Sequence, residues 1–306
     1  MSASLFRVSA GWCRRIPWVL VWAAAAACGG RDDGPPRSPD AVDDYGAVIV
    51  PAAPARRIVS LNPTTTELLF ALGAGDRLVG RSRWDQWPPQ AQRVANVGDA
   101  IRPSVERIIA ARPDLVILYA SGDNRAAAAT LVEAGIRVVA LRIDRIADFE
   151  RSVRIVGALA GRDDAAASAA DSLRRSLDAV RLALRDAPRP RVFLHVWDSP
   201  LMAIGGGSYL SELVEIAGGR NVYADLPEPS PQVSFEDLLR RDPDVILAGP
   251  REVARLAADA RWRALRAVRE GRVMAYDSTV VSRPSLRLGE GARSLAALLH
   301  PGVVIP

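Results

Sequence analysis

Two glutamates, Glu106 and Glu236, begin a thirteen-residue phrase that occurs twice in the chain. The copies read ERIIAARPDLVIL and EDLLRRDPDVILA. Each glutamate follows, by two residues, a serine that is suited to cap a helix (Ser104 or Ser234), so both carboxylates are predicted in a first helical turn. There they either complement a helix dipole or, as a matched pair of charges, form ion pairs with a partner of two-fold symmetry. Their presence in both halves favours docking to such a partner.

Aromatic side chains follow predicted strands in both halves. Trp84 and Trp87 stand in a proline-bounded loop after one strand, Tyr119 ends another, and His195 and Trp197 close the first strand of the second half. Since parallel sheets bind ligands beyond the carboxyl ends of their strands, we expect these residues to line a ligand cleft. Broad aromatic surfaces suit a flat, largely apolar ligand; the alternative is that each ring only packs. His195 could ligate iron or cobalt, although a single histidine is more often structural.

The sequence lacks the motifs that would indicate an enzyme. It contains no Gly-x-Ser-x-Gly elbow, no cysteine in a nucleophile motif and two histidines in all, which argues against a site for free zinc or manganese. The segment 205–208, GGGS, resembles an anion-binding loop but lacks the lysine of a nucleotide-binding loop. The sequence therefore predicts a binding protein without a cofactor or metal; the competing class is an enzyme on a two-lobed scaffold.

Alternating strands and helices must position these residues. Strands are predicted at 57–61, 78–80, 115–118, 137–141, 192–196, 245–248 and 272–275, and helices at 66–72, 105–111, 125–133, 209–217, 235–240 and 286–299. This alternation predicts an α/β fold with a parallel sheet in each of two similar lobes, at 56–143 and 188–306, and a ligand cleft between them.

The segment 144–187 contains no strand pattern and is predicted to join the two lobes. Ile146–Leu159 and Asp164–Asp186 have helical spacing, and the second helix would be about 34 Å long at 1.5 Å per residue. A helix of that length acts as a stiff strut between lobes, which argues against a large hinge closure.

The first part of the chain has the pattern of an export signal. Three arginines precede an apolar run that is too short to span a bilayer, and the run ends in Ala-Ala-Ala-Cys28. Residues 1–27 are therefore predicted to be a lipoprotein signal peptide, Cys28 the lipidated residue, and 28–55 a flexible tether; an ordinary secretory signal is the alternative. Without the leader the formal net charge falls from +5 to +2, which argues against a basic nucleic-acid-binding patch.

Several segments resemble the periplasmic substrate-binding proteins of ABC importers for iron siderophores, haem and cobalamin, and most of all the cobalamin receptors (BtuF type). They are RIVSLNPTTTE at 57–67, WPPQAQ at 87–92, VERI at 105–108, RPDLVI at 112–117, PQVSFE at 231–236, DS at 277–278, RPSLRLGEGA at 283–292 and LHP at 299–301. The resemblance covers roughly residues 56–301. Two tryptophans of the cobalamin receptors are absent: the segment 98–103 reads GDAIRP, and Ser230 precedes the second-lobe Pro-Gln-Val-Ser.

The resemblance implies an extracytoplasmic lipoprotein, periplasmic or at the cell surface, that delivers cobalamin or a related corrinoid to a permease dimer with its ATPase subunits. It implies that Trp84 and Trp87 face the cleft and that Arg283 binds a peripheral amide, carboxylate or phosphate there. It also implies that Glu106 and Glu236 engage arginines of the two permease subunits. A ferric siderophore or haem receptor is the alternative within the family.

Overall fold

The structure, a computed structural model, describes residues 39–50 and 52–305. The predicted leader and Cys28 lie outside the described residues. No helix among the residues described has both the length and the apolar character that crossing a membrane requires.

The first lobe is a four-stranded parallel sheet with helices between its strands. Its elements are β1 (Ile58–Ser60), α1 (Pro63–Ala71), β2 (Leu78–Arg81), α2 (Val105–Ala110), β3 (Leu115–Tyr119), α3 (Arg125–Glu133) and β4 (Arg137–Leu141). The strand order is β2-β1-β3-β4, and every neighbouring pair is parallel. The residues of β1 and all but the last of β3 are buried, as expected of central strands covered on both faces.

Two helices follow, α4 (Ile146–Leu159) and α5 (Asp163–Ala183). The second lobe then contains β5 (Arg191–Leu194), β6 (Trp197–Asp198), β7 (Leu201–Met202), α6 (Tyr209–Ile216), β8 (Arg220–Asn221), α7 (Phe235–Arg241), β9 (Val245–Ala248), α8 (Pro250–Ala258), α9 (Arg266–Arg269), β10 (Val273–Ala275), α10 (Ser278–Val281) and α11 (Leu288–Leu299). Its sheet has the order β10-β9-β5-β8, with parallel neighbours, and β6 and β7 form a separate antiparallel hairpin. The two parallel sheets confirm the predicted two-lobed α/β fold.

The helix α5 packs against α4, α11 and α6. Its buried face consists of small and branched residues, including Ala166, Ala170, Leu173 and Leu177, at helical spacing. At 1.5 Å per residue the helix is about 31 Å long. It therefore packs on α4, which follows the first lobe, and on two helices of the second lobe.

The repeated phrase has the same backbone role in each lobe. The residue before the proline in each copy ends the helix with a positive φ, which is 49° at Arg112 and 33° at Asp242. Its last aspartate then accepts backbone N–H bonds at the start of the neighbouring strand: Asp114 from Arg57 at 3.2 Å and Asp244 from Arg191 at 2.9 Å. The repeat thus fixes how each helix turns back into the sheet.

Residues 40–49, which we call the strap, differ from the predicted flexible tether. The carboxylate of Asp43 accepts from the backbone N–H of Ala140 at 3.0 Å, and the N–H of Asp44 donates to the carbonyl of the same residue at 2.9 Å. Asp44 also pairs with Arg151 of α4 at 3.0 Å. Because β4 is an edge strand, its free backbone groups can bond the strap. The tether prediction is therefore wrong for the strap.

Candidate ligand cleft

The carboxyl ends of the two sheets meet where the lobes contact each other. Glu67, in α1 directly after β1, accepts a hydrogen bond from the Arg283 Nε after β10 at 2.8 Å. The Glu67 side chain is 11% exposed and that of Arg283 is 31% exposed, so the pair is only partly shielded from solvent. Arg283, which the resemblance assigns to the cleft, thus spans the lobe interface, and its partner Glu67 was not predicted.

Trp84 and Trp87 are on the exposed side of the loop that follows β2. Their exposed fractions are 55% and 43%, high values for the largest aromatic side chain. Asp85, one of the two residues between them, is fully buried instead. The loop therefore holds one polar anchor inside and presents two indole rings to solvent.

Asp85 fixes this loop to α1. Its carboxylate accepts hydrogen bonds from the Ser82 hydroxyl at 2.8 Å, the Ser82 N–H at 3.0 Å and the Thr66 hydroxyl at 2.9 Å. Burial raises the pKa of Asp85 above its ordinary value, and the bonds from Ser82 and Thr66 oppose that shift. A charged side chain without such bonds is rarely buried, so the loop geometry depends on them.

Asp99 joins the Trp84 loop to the neighbouring segment 98–103. Its carboxylate accepts from the Trp84 indole at 3.3 Å and from the Ile101 N–H at 2.8 Å, and it forms an ion pair with Arg83. The Ile101 N–H, together with the Arg83 charge, lowers the pKa of Asp99. The two loops beyond β2 are therefore one connected surface.

A pocket of about 280 Å³ opens beside this surface at the carboxyl ends of β1 and β3. Its lining residues are Leu61, Asn62, Pro63, Ala100, Ile101, Tyr119, Ser121, Asp123 and Asn124. Ile101 on its edge is 54% exposed, whereas Asn124 at its base is 1% exposed. The pocket lies where parallel sheets bind ligands.

Tyr119, the predicted cleft residue at the end of β3, lines this pocket but has a second contact. Its hydroxyl donates to Asp144 at 2.6 Å, and the carbonyl of Asp144 accepts from the Tyr209 N–H in α6. Burial, then the bond to Asp144, raises the pKa of Tyr119 above its ordinary value. Its hydroxyl therefore remains a hydrogen-bond donor, and the residue connects the pocket to the second lobe.

Trp197 and His195 of the second lobe differ sharply in exposure. Trp197, in β6, is 61% exposed, and its indole donates to the Ser199 carbonyl at 3.0 Å. His195 is 4% exposed, its ring packs edge-on against Trp262 at 5.3 Å, and its Nε2 lies 3.3 Å from Asp198. This burial places the imidazole in the core instead of at the cleft surface, contrary to the prediction that it reaches the cleft.

Glu106 and Glu236 are both exposed, in the first turns of α2 and α7. The last turns of these helices lie at the amino ends of the sheets, because Arg57 before β1 donates to the Ala111 carbonyl and Arg191 of β5 to the Arg241 carbonyl. The two glutamates therefore lie towards the carboxyl ends of the strands. Hydrogen bonds from its own backbone N–H and from Ser234 lower the pKa of Glu236.

Sequence reasoning missed the residues that hold the site together. Glu67, Asp85, Asp99 and Asn124 each bond at least one residue that is fifteen or more positions away, so the local pattern carries little sign of them. Glu67 ends the Thr-Thr-Thr-Glu segment, and Asp85 lies between two tryptophans; a polar residue inside such a loop is the one available signal. Within residues 39–50 and 52–305, no group of histidine, cysteine and carboxylate side chains is arranged to hold a metal ion.

Comparisons with known proteins give the class of the chain. The model of the periplasmic binding protein family matches residues 58–280, and the chain belongs to that family. This is a family of binding proteins, not of enzymes. The chain is similar to the vitamin B12-binding protein of Vibrio cholerae, with 28% identity over 247 residues that cover 80% of this chain and 90% of the relative. It is 33% identical to the vitamin B12-binding protein of Yersinia pestis over 202 residues, 65% of this chain and 71% of the relative.

Solved structures agree with the sequence relatives. The periplasmic vitamin B12-binding protein of Vibrio cholerae superposes with a TM-score of 0.71, covering 80% of this chain and 97% of that one at 28% identity. A periplasmic haem-binding protein from Roseiflexus also gives a TM-score of 0.71, with 25% identity and coverage of 81% and 98%. The resemblance inferred from the sequence motifs is confirmed, and the fold alone does not separate the two kinds of ligand.

Proposed function

We propose that this protein is a lipid-anchored extracytoplasmic receptor that binds cobalamin or a related corrinoid and delivers it to an ABC importer. Its ligand would lie between a first lobe at 56–143 and a second at 188–306, joined by the helices of 144–187. The corrinoid would be a ligand that the protein carries, not a cofactor.

One observation carries the choice of ligand: three tryptophans are 43–61% exposed beyond the carboxyl ends of strands in both lobes. Trp84 and Trp87 follow β2, and Trp197 follows β5. Exposed indole rings that are rich in apolar surface and poor in rotamer freedom suit a broad, flat ligand held between two walls. The similarity to vitamin B12-binding proteins supports a corrin ring over other flat ligands.

A haem or ferric siderophore receptor is the second candidate, since a haem-binding relative has the same fold. Haem iron needs an axial ligand, for which histidine is a common choice. His195 is buried against Trp262, and His300 is 7% exposed, so neither histidine of the chain presents an imidazole to the cleft. This placement favours the corrinoid.

Calorimetric titration of the soluble body with cyanocobalamin, haem and a panel of ferric siderophores tests the ligand. We expect saturable heat and tryptophan quenching with cyanocobalamin. Clear binding of haem or a siderophore, with no heat and no quenching from any corrinoid, would transfer the assignment to the second candidate.

Delivery is tested separately through Glu106 and Glu236. Both are exposed, each occupies the first turn of a matched helix, and charge pairs with a two-fold partner would use both at once. Replacing both by Ala should leave cobalamin affinity unchanged while transport and receptor-stimulated ATP hydrolysis fall sharply. Each single variant should show a partial defect, and Glu133→Ala, an exposed glutamate on α3, serves as the matched control. Normal transport by the double variant would show that the repeated phrase reflects only a duplicated fold.

The anchor is tested at Cys28. Export and lipidation should place radiolabelled palmitate on the wild-type chain in cells, and Cys28→Ser should abolish the label and release the protein from membranes. Retention of the label in that variant would eliminate the lipoprotein assignment.

A further inference from the structure

We propose that the pocket at the carboxyl ends of β1 and β3 binds one peripheral primary amide of the corrinoid and discriminates it from a carboxylate. This inference rests on the proposed function and specifies which part of the ligand the first lobe reads. It is carried by the shape of the pocket and by one buried acceptor.

The pocket is too small for a whole ligand. Its volume of about 280 Å³ lies just below the range of about 300–1,000 Å³ that is typical of sites for drug-sized ligands. Leu61, Pro63, Ala100 and Ile101 give it walls that suit the methylene stem of a side arm. A corrin ring carries such arms around its edge, and each ends in an amide.

The acceptor is the Oδ1 of Asn124. Its amide nitrogen donates to the carbonyls of Ala100 and Tyr119, both at 3.0 Å, which fixes the orientation of the side chain. With the donors thus engaged, Oδ1 is buried and has no hydrogen-bond partner among the described residues. An unpaired buried acceptor is costly, and an N–H donor from a ligand arm would remove that cost.

The rest of the lining favours a neutral arm. Among the described residues the lining includes one carboxylate, Asp123, and no basic side chain. Ser121 supplies a hydroxyl, which can donate to an amide oxygen. A propionate arm would bring a second negative charge near Asp123 and would offer Asn124 Oδ1 no donor, so it would be rejected.

The same surface holds the pocket next to the aromatic rim. Asp99 bonds both the Ile101 N–H and the Trp84 indole. A ring that contacts Trp84 would therefore place its edge arms near the opening, where Ile101 is exposed. The pocket would bind the edge of the ligand, and the tryptophans would contact the face of the same ligand.

The test compares cyanocobalamin with its three monocarboxylic acids, in which one of the propionamides is hydrolysed to propionate. We expect one of the three acids to bind at least about tenfold more weakly than cyanocobalamin, as for the loss of one buried hydrogen bond with an unpaired acceptor. Ile101→Trp, which fills the pocket, should weaken cyanocobalamin binding and remove the difference between that acid and its amide. Val132→Trp, at an apolar position of α3 that is 58% exposed, is the matched control and should keep the difference.

The outcomes separate the two proposals. If all three acids bind the wild-type protein as tightly as cyanocobalamin, or if Ile101→Trp preserves the discrimination, the amide site is wrong and the corrinoid receptor stands. If cyanocobalamin does not bind while haem or a siderophore does, the proposed function fails and the amide site falls with it. Thermal unfolding of Ile101→Trp close to that of wild type shows that the variant is folded.

Discussion

The two sides of the cleft are built differently. The first-lobe side is a braced surface in which Asp85, Asp99 and Asn124 hold loops, tryptophans and a pocket in fixed relation. In the second lobe, Trp197 lies in a hairpin of two-residue strands and is 61% exposed. Shape-specific recognition needs preorganised groups, whereas a projecting ring contributes mainly contact area. The first lobe should therefore set ligand identity, and the second should add affinity.

The largest expected effect comes from removing one ring on each side. Trp87→Ala should weaken cyanocobalamin binding about 10–100-fold, since burial of a large aromatic side chain is worth about 1.5–3 kcal/mol. Trp197→Ala should weaken it less, about threefold to tenfold, because this ring stands on a hairpin of two-residue strands and not in a loop that a buried carboxylate fixes to a helix. Calorimetry measures both, with Leu182→Ala, at a position of α5 that is 65% exposed, as control. A larger loss for Trp197→Ala would reverse the comparison.

Removing the ion pair between Glu67 and Arg283, which joins the two lobes, should have a smaller effect, and this effect should be on stability. Glu67→Gln removes the charge that Arg283 bonds across the interface and should lower the free energy of unfolding by about 1 kcal/mol, given the partial exposure of the pair. Glu290→Gln breaks an exposed pair with Arg287 within the second lobe and should change it by less than about 0.5 kcal/mol. Urea denaturation tests the ranking, and equal losses would show that the interface pair has no special role.

The pH dependence of stability should originate on the first-lobe side. The pKa of Asp85 is raised in the folded state above its ordinary value of 3.8, so the folded chain holds this proton more tightly than the unfolded chain does. The contribution of Asp85 to stability is therefore greatest at low pH and falls as pH rises through the raised pKa. Relative to Asp85→Asn, the wild type should lose stability as the pH rises above about 4; Glu133→Gln, at an exposed site, should show no such trend. A constant difference would contradict the raised pKa.

The smallest effect should be on overall shape. Because α5 packs against α4 and against two helices of the second lobe, and Glu67 bonds Arg283 across the interface, ligand should leave the radius of gyration unchanged within error. Small-angle scattering with and without cyanocobalamin measures this. A clear contraction, of the kind that hinge-type closure gives, would show that the two lobes approach each other as the ligand binds.

The sequence predicts local elements well and their side-chain partnerships poorly. The strands Arg137–Leu141 and Val245–Ala248 and the helix Arg125–Glu133 match the prediction to the residue, because short apolar runs and caps are local signals. The helix α8, the hairpin of β6 and β7 and the strand β8 were not predicted. Two-residue strands carry too little pattern to recognise, although Pro250 at the first position of α8 was a usable start signal.

His195 and Glu67 show why the site was harder to predict than the strands and helices. His195 follows a strand and looks accessible in the sequence, but Trp262, sixty-seven positions later, packs against its ring. Glu67 reads as a helix-start carboxylate, whereas its partner Arg283 lies 216 positions away. Both outcomes depend on how distant segments pack, and no periodicity within a window of residues contains that information.

The strap has a mechanical consequence. If the chain is tethered to a membrane upstream of it, any pull on the tether enters the folded body here, before it reaches β1. Arg154 bonds Asp40 at 2.8 Å and Arg151 bonds Asp44. The Asp43 carboxylate accepts from the Ala140 N–H, and the Asp44 N–H donates to the Ala140 carbonyl, so several bonds would share the load. Tyr45 extends the contact further, donating to the Ser121 carbonyl beside the pocket. Tension on the anchor would thus be shared along the outer edge of the first lobe, and the bond from Tyr45 borders the pocket at the carboxyl ends of β1 and β3.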